Sequence, residues 1–177
     1  MYTLGRAILI VSIIIAIIMG ASALALSTRK PEPVIIREVH SMEYQAALFQ
    51  ASRVYGKAGC GDQNLAEMTA RNAIATKLPA SIIAAQIAIE SSCNPLAISN
   101  KGAIGLTQIT VKVWASQYRN FQDVNLFNEE DSMRVGTTIL SNLVRLYGLR
   151  NGLRRYNGAG EDAELYAERI VRLAGEK

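Results

Sequence analysis

The stretch PASIIAAQIAIESSCNP occupies residues 79–95. Pro79 suits the first turn of a helix, where its missing N–H is not needed. Ile82, Ile83, Ile87 and Ile89 follow inside that helix. It is expected to stop near Ser91 or Ser92, because Pro95 cannot extend it and biases Asn94 away from helical backbone. The one charged residue of the stretch is Glu90, and Ile83, Gln86 and Ile87 share its helical face. A carboxyl closing an apolar face is desolvated, which disfavours the anion, raises the pKa and suits a general acid near neutral pH. Read alone, Glu90 fits a surface acid at a helix C-terminus better than a catalyst.

The flanking sequence is helical in both directions. Tyr44, Leu48, Ala51 and Tyr55 recur at three-to-four spacing from Glu43 onward, and Gly56 to Gly61 breaks that helix. Asp62 is a plausible N-cap for the next, which runs through Leu65, Met68 and Ile74 to Lys77. Beyond the loop Asn94 to Gly105 a helix is expected from about Thr107 to Tyr118. Asn128 then caps a long amphipathic helix bearing Met133, Ile139, Leu140, Leu143, Val144 and Leu146. Gly148 to Gly160 reads as glycine-punctuated loop and short helix, and Asp162 as the cap of a last helix with Leu165, Tyr166, Ile170, Val171 and Leu173. No period-2 run exceeds Val34–Val39, so the fold class is all-α.

Half of the 177 residues are hydrophobic and 19% are charged, which excludes a disordered chain. Two cysteines are too few for a disulfide-dense scaffold or a cysteine-built zinc site. No glycine-rich phosphate loop and no HExxH is present, and neither a cofactor nor a metal is expected. The lone histidine, His40, lies in a stem before the folded domain, out of place for a Ser-His-Asp triad. The formal charge of +4 is mild and scattered, unlike a nucleic-acid-binding surface.

Ala7 to Ala25 carries no charge and is crowded with isoleucine. At ~1.5 Å per residue it spans roughly 28 Å, close to the hydrocarbon thickness of a bilayer. Arg6 supplies a short positive n-region, and Ala21-Ser22-Ala23 and Ala23-Leu24-Ala25 resemble cleavage sites. Residues 1–26 therefore read as a transmembrane anchor or a signal peptide, with the length of the apolar core favouring the anchor. Arg29 and Lys30 follow the segment as Arg6 precedes it, so positive-inside bias gives no orientation. Residues 27–42 read as linker and stem, and residues 43–177 as one domain.

Beyond Glu90-Ser91 come Asn94-Pro95-Leu96-Ala97-Ile98-Ser99, Lys101-Gly102-Ala103-Ile104-Gly105-Leu106-Thr107-Gln108-Ile109, and later Tyr156-Asn157-Gly158-Ala159-Gly160 and Tyr166. This series resembles the soluble-lytic-transglycosylase family over roughly residues 43–173. The chain departs from the family at four places. Thr107 stands where methionine is common, Arg154-Arg155 replace small residues, Ser132 stands where asparagine is usual, and Cys93 occupies a large apolar position.

The resemblance implies a lysozyme-like α-helical domain that cleaves the β-1,4 bond between N-acetylmuramic acid and N-acetylglucosamine in peptidoglycan and leaves a 1,6-anhydromuramyl end. It implies Glu90 as the acid and then the base, and Ser99 and Gln108 as polar cleft residues. Tyr156 and Asn157 match the pair that holds Glu90 and the N-acetyl group, and Tyr166 matches a cleft-facing tyrosine of the final helix. Two-carboxylate glycosidases need a partner acid, and after Glu90 no Asp or Glu occurs until Asp123. A hydrolysing muramidase on the same fold and an inactive peptidoglycan-binding module of a membrane complex are the alternatives. Implied partners are glycan strands, the cytoplasmic membrane through the N-terminal segment, and a secretion, conjugation or virion apparatus. The implied location is the cell envelope of a bacterium, with the domain in the periplasm, or a virion membrane. Outside the cytoplasm, Cys60 and Cys93 are candidates for a disulfide.

Overall fold

Helix α1 (Met42–Ala58) starts where the Ser41 hydroxyl accepts the Tyr44 N–H at 3.0 Å and ends at Gly59, whose φ of 69° needs no Cβ accommodation. The computed structural model describes residues 41–116 and 121–176. The apolar segment 1–26, the linker and His40 lie outside the described residues. Among those described, no helix is long and apolar enough to cross a membrane.

Asp62 caps α2 (Gln63–Thr76) by accepting the Leu65 N–H at 2.8 Å. Pro79 stands one residue outside α3 (Ala80–Ser91) as its N-cap. Asn128 caps α5 (Glu129–Tyr147) at 3.1 Å to the Asp131 N–H. The glycine-punctuated stretch contains α6 (Leu149–Asn157), and α7 (Glu161–Ala174) closes the domain.

Three local expectations differ. The first helix runs through Gly56, because a helical glycine costs only about 1 kcal/mol and the flanking turns pack. Asp162 lies inside the first turn of α7, and Gly160 is the N-cap without a side-chain bond. The helix expected from Thr107 is only the short α4 (Val111–Trp114). Ahead of it β1 (Ala103–Ile104) and β2 (Ile109–Thr110) form an antiparallel pair with Ala103 opposite Thr110, and Ile98 bridges to Ile104. Strands of two residues carry no readable period, so the alternation rule had nothing to detect.

Helix α3 is the centre of the domain and packs against α1, α2 and α7. Ala80, Ile82, Ile83, Ala84, Ala85 and Ile87 are buried all round it. A helix that is apolar on every side must be enclosed by others, and the larger helices supply the shell with one-sided cores. Ala47, Ala51 and Val54 come from α1, Met133, Leu140 and Ile139 from α5, Ile170 and Ala174 from α7. Leu146 and Leu165, on the same helices, face solvent. The buried Tyr55 hydroxyl meets the Thr69 hydroxyl at 2.7 Å, and Arg53 donates to the Ala174 carbonyl at 3.1 Å, joining α1 to α2 and α7.

A disulfide joins Cys60, in the α1–α2 turn, to Cys93, three residues beyond Glu90. It closes a loop with a sequence separation of 33, for which chain entropy gives roughly 3–4 kcal/mol of stabilisation. Serine at both positions should therefore lower the thermal midpoint by on the order of 10 °C. Reduction of the wild-type protein should do the same, and an unchanged midpoint in both would remove the cross-link from the stability of the domain.

Candidate active site

Glu90 sits in the last turn of α3, half-buried, with Ile83, Gln86 and Ile87 on the same face wholly buried. The helix cannot continue. Ser92 and Cys93 both take left-handed backbone, with φ of 51° and 62°, a conformation that side-chained residues adopt only where the surroundings hold them. The disulfide holds the second of the two. The chain thus turns away sharply and leaves the carboxyl at the edge of the core.

The Tyr166 hydroxyl, from α7, donates to Glu90 Oε1 at 2.6 Å. Burial pushes the Glu90 carboxyl up from an ordinary 4.5 to about 7, and the Tyr166 bond, which favours the anion, offsets part of that rise. Among the described residues no charged group contributes to that shift. Tyr166 and Tyr156 are both held far above the usual tyrosine range, by burial first and then by the Glu90 charge. Both phenols therefore stay neutral and keep a proton to donate.

Tyr156 comes from α6 and lies close enough to Glu90 to feel its charge, but its hydroxyl donates to the Thr107 carbonyl at 2.9 Å. The direct hydrogen bond to Glu90 comes from Tyr166 on the final helix. Trp114 stacks beside the Tyr156 ring, with centroids 6.2 Å apart. Asn157 is the exposed last residue of α6, without a side-chain hydrogen bond among the described residues.

Ser99 and Gln108 organise the loop rather than touch Glu90. Ser99 Oγ accepts the Ala103 N–H at 3.0 Å. Gln108 has a φ of 50°, and its Nε2 donates to the carbonyls of Ala97 at 3.2 Å and Gly105 at 3.0 Å. Gly105 is required here. Its φ is 79°, and a Cβ would collide with the Leu126 carbonyl oxygen and lie 2.6 Å from Ser132 Oγ.

Two of the four departures noted above touch each other. The Thr107 hydroxyl donates to the Ser132 carbonyl at 2.8 Å, and the Thr107 N–H donates to Ser132 Oγ at 3.3 Å. Gly136, one turn after Ser132, leaves the space that the Thr107 side chain fills. This buried clamp fixes the carbonyl that receives the Tyr156 proton. Sequence reading saw Thr107 and Ser132 only as oddities, because nothing in a linear pattern pairs positions 25 apart. The arginine pair has surface partners instead. Arg154 Nε lies 2.8 Å from Glu164, and the Arg155 guanidinium covers the Tyr147 ring at 4.0 Å.

The site thus combines a protonated carboxyl near neutral pH, a neutral phenol bonded to it, and a stapled loop beside it. Such an arrangement donates a proton to a leaving oxygen and can take one back. A family model for the transglycosylase SLT domain matches residues 67–167. No curated protein matches the chain. The matched span starts on α2, ends on α7, covers more than half of the chain and includes Glu90, Tyr156 and Tyr166; the chain belongs to the SLT transglycosylase family, enzymes that act on the glycosidic bonds of peptidoglycan.

Proposed function

We propose that this protein is a lytic transglycosylase that cleaves the bond between N-acetylmuramic acid and N-acetylglucosamine and closes a 1,6-anhydro ring on the muramyl residue. The observation that carries the reading is the desolvated Glu90, pushed up to about 7, with Tyr166 as its hydrogen-bond partner and no second carboxylate acting on it among the described residues. Hydrolases of the retaining and inverting types need a second carboxylate as nucleophile or base. Asp131, a potential partner on α5, is committed to Arg134 and to the Asn125 N–H, which hold its carboxyl below the usual range.

Neutral Glu90 gives its proton to the glycosidic oxygen as the bond from that oxygen to the muramyl C1 breaks. The substrate's own N-acetyl oxygen stabilises the positive charge at C1. The Glu90 carboxylate then takes the proton of the muramyl 6-hydroxyl, and that oxygen bonds to C1. The acid is regenerated and no water is consumed. Tyr166 stabilises Glu90 in its ionised interval, while burial keeps it protonated beforehand.

Glu90→Gln keeps the shape and removes both proton transfers. Activity on isolated sacculi should fall by at least ~10²-fold, with circular dichroism unchanged; more than a tenth of wild-type activity would refute the assignment. Mass spectrometry of wild-type products should find anhydromuramyl ends, whereas reducing muramyl ends would make the protein a hydrolase.

The pH dependence follows from the same carboxyl. Only protonated Glu90 starts the reaction, so kcat/KM should decline above a midpoint near 7. Tyr166→Phe removes the bond that favours the anion and should move this limb to higher pH while lowering the rate. Stability has the corresponding sign. The folded state holds the Glu90 proton more tightly than the unfolded one, so this contribution is complete below about 4.5 and is lost as pH rises through about 7. The thermal midpoint of Glu90→Gln, relative to wild type, should climb between pH 4 and pH 8, and a constant difference would exclude a raised Glu90 pKa.

The substrate lies outside the cytoplasmic membrane, and the uncharged Ala7–Ala25 segment supplies the means to reach it. We assign it as a tether with the domain on the outer side. Full-length protein should require detergent for extraction and be degraded by protease added to spheroplasts. A soluble periplasmic product beginning near Leu26 would make the segment a signal peptide, and protection from protease would contradict export.

A further inference from the structure

Gln86 differs from the other buried polar side chains among the described residues. Thr69, Ser81, Ser91, Thr107, Ser132 and Thr137 are all buried, and each takes part in a hydrogen bond. Gln86 is 0% exposed, and among the described residues neither its Nε2 nor its Oε1 has a partner in full hydrogen-bond geometry. Buried unpaired amides are rare and call for an explanation. This one interrupts a helix otherwise built of Ile and Ala between Ser81 and Glu90. It lies one turn before Glu90, on the same face.

Two phenols close over that face, and the donor inventory is specific. Tyr166 has spent its hydroxyl hydrogen on Glu90 and Tyr156 has spent its own on the Thr107 carbonyl. Each phenol oxygen keeps lone pairs and has no hydrogen left to give, while a carboxamide nitrogen carries two hydrogens. Gln86 also bears on both phenols, acting against burial to lower each pKa, as a donor to a phenol oxygen does. The amide therefore lies close enough to both phenols to act on each as a hydrogen-bonding group, short of full hydrogen-bond geometry.

We propose that Gln86 is a positioning residue whose two Nε2 hydrogens bridge the Tyr156 and Tyr166 hydroxyl oxygens, fixing both phenols and strengthening the bond from Tyr166 to Glu90. The proposal rests on the reading of Glu90 as the acid. Donation into a hydroxyl oxygen polarises its own O–H and makes it a better donor. The Tyr166 bond is what opposes the desolvation of Glu90, so Gln86 acts on the acid through that phenol. The titratable groups facing Glu90 are Tyr166 on α7 and Tyr156 on α6.

Gln86→Met keeps length and volume and removes both donors. On a defined soluble glycan chain, kcat should fall about tenfold with KM changed less than twofold, as expected for lost orientation at the reacting group. The alkaline limb of kcat/KM should move up by about half a pH unit, since the anion loses part of its stabilisation. An unchanged limb and rate, in a variant that folds, overturns the proposal. Side-chain NMR of the wild-type protein decides it independently of any effect of the variant on folding. One Gln86 carboxamide proton should shift in Tyr156→Phe and the other in Tyr166→Phe, and no movement of either overturns the bridge. A wild-type protein that leaves the glycan intact would strike the lytic reading itself, and the carboxamide shifts would still decide the bridge.

Discussion

Everything in this domain is arranged around the desolvation of one carboxyl. A carboxylate at the end of an apolar helix is unstable as an anion unless something donates to it. Tyr166 donates a single hydrogen bond, at 2.6 Å. One donor is enough to seat the acid and too little to return it to the ordinary range, and the result is a group that titrates near 7. More donors, or a nearby arginine, would hold Glu90 as an anion at neutral pH. The value near neutrality is a balance between burial and that one phenol, and both terms come from helices that pack on α3.

The balance needs rigid walls. α3 is apolar on all sides, so its position is set by enclosure by α1, α2 and α7 rather than by one face. Its C-terminus is set by Ser92 and Cys93 in left-handed backbone, with Cys93 tied to the α1–α2 turn through Cys60. Tyr166 is placed by Ala163, Ala167 and Ile170, buried neighbours on its own helix. A shift of either helix by a fraction of an ångström would lengthen the bond to Glu90 and move its pKa. This is the physical reason for a cross-link three residues beyond the acid and for a core this densely filled with alanine and isoleucine.

Much of this was legible in the chain. Caps at Asp62 and Asn128, the stop after Ser91 and the apolar stripe leading to Glu90 are local signals, and local signals survive folding. The β1–β2 pair and the shortness of α4 were not legible, because Leu106, Ile109 and Val113 repeat at spacings of three and four that suit a helix as well as a folded loop. Leu106 and Ile109 are wholly buried in that loop, so tertiary contact overrode the helical period. Which tyrosine donates to Glu90 was not legible either. Tyr156 and Tyr166 are both buried beside the acid, and only the crossing of α6 and α7 decides which hydroxyl reaches it. Gln86 shared the face of Glu90 in the sequence, yet its significance needed two phenols that lie 70 and 80 residues further on.

The positions where the chain departs from its family also make sense as local pairings. Cys93, expected from the resemblance to be a large apolar residue, is covalently linked to Cys60. Thr107 and Ser132 face each other, and each hydroxyl finds the other segment's backbone. Changing one member of such a pair alone would leave a buried polar group unsatisfied, which is costlier than losing the pair together. Arg154 and Arg155 turn outward to Glu164 and Tyr147 and leave the neighbouring Tyr156 free to turn inward. The substitutions thus rebuild the support of the site without introducing a charge beside Glu90, the one change that the balance of burial against a single phenol could not absorb.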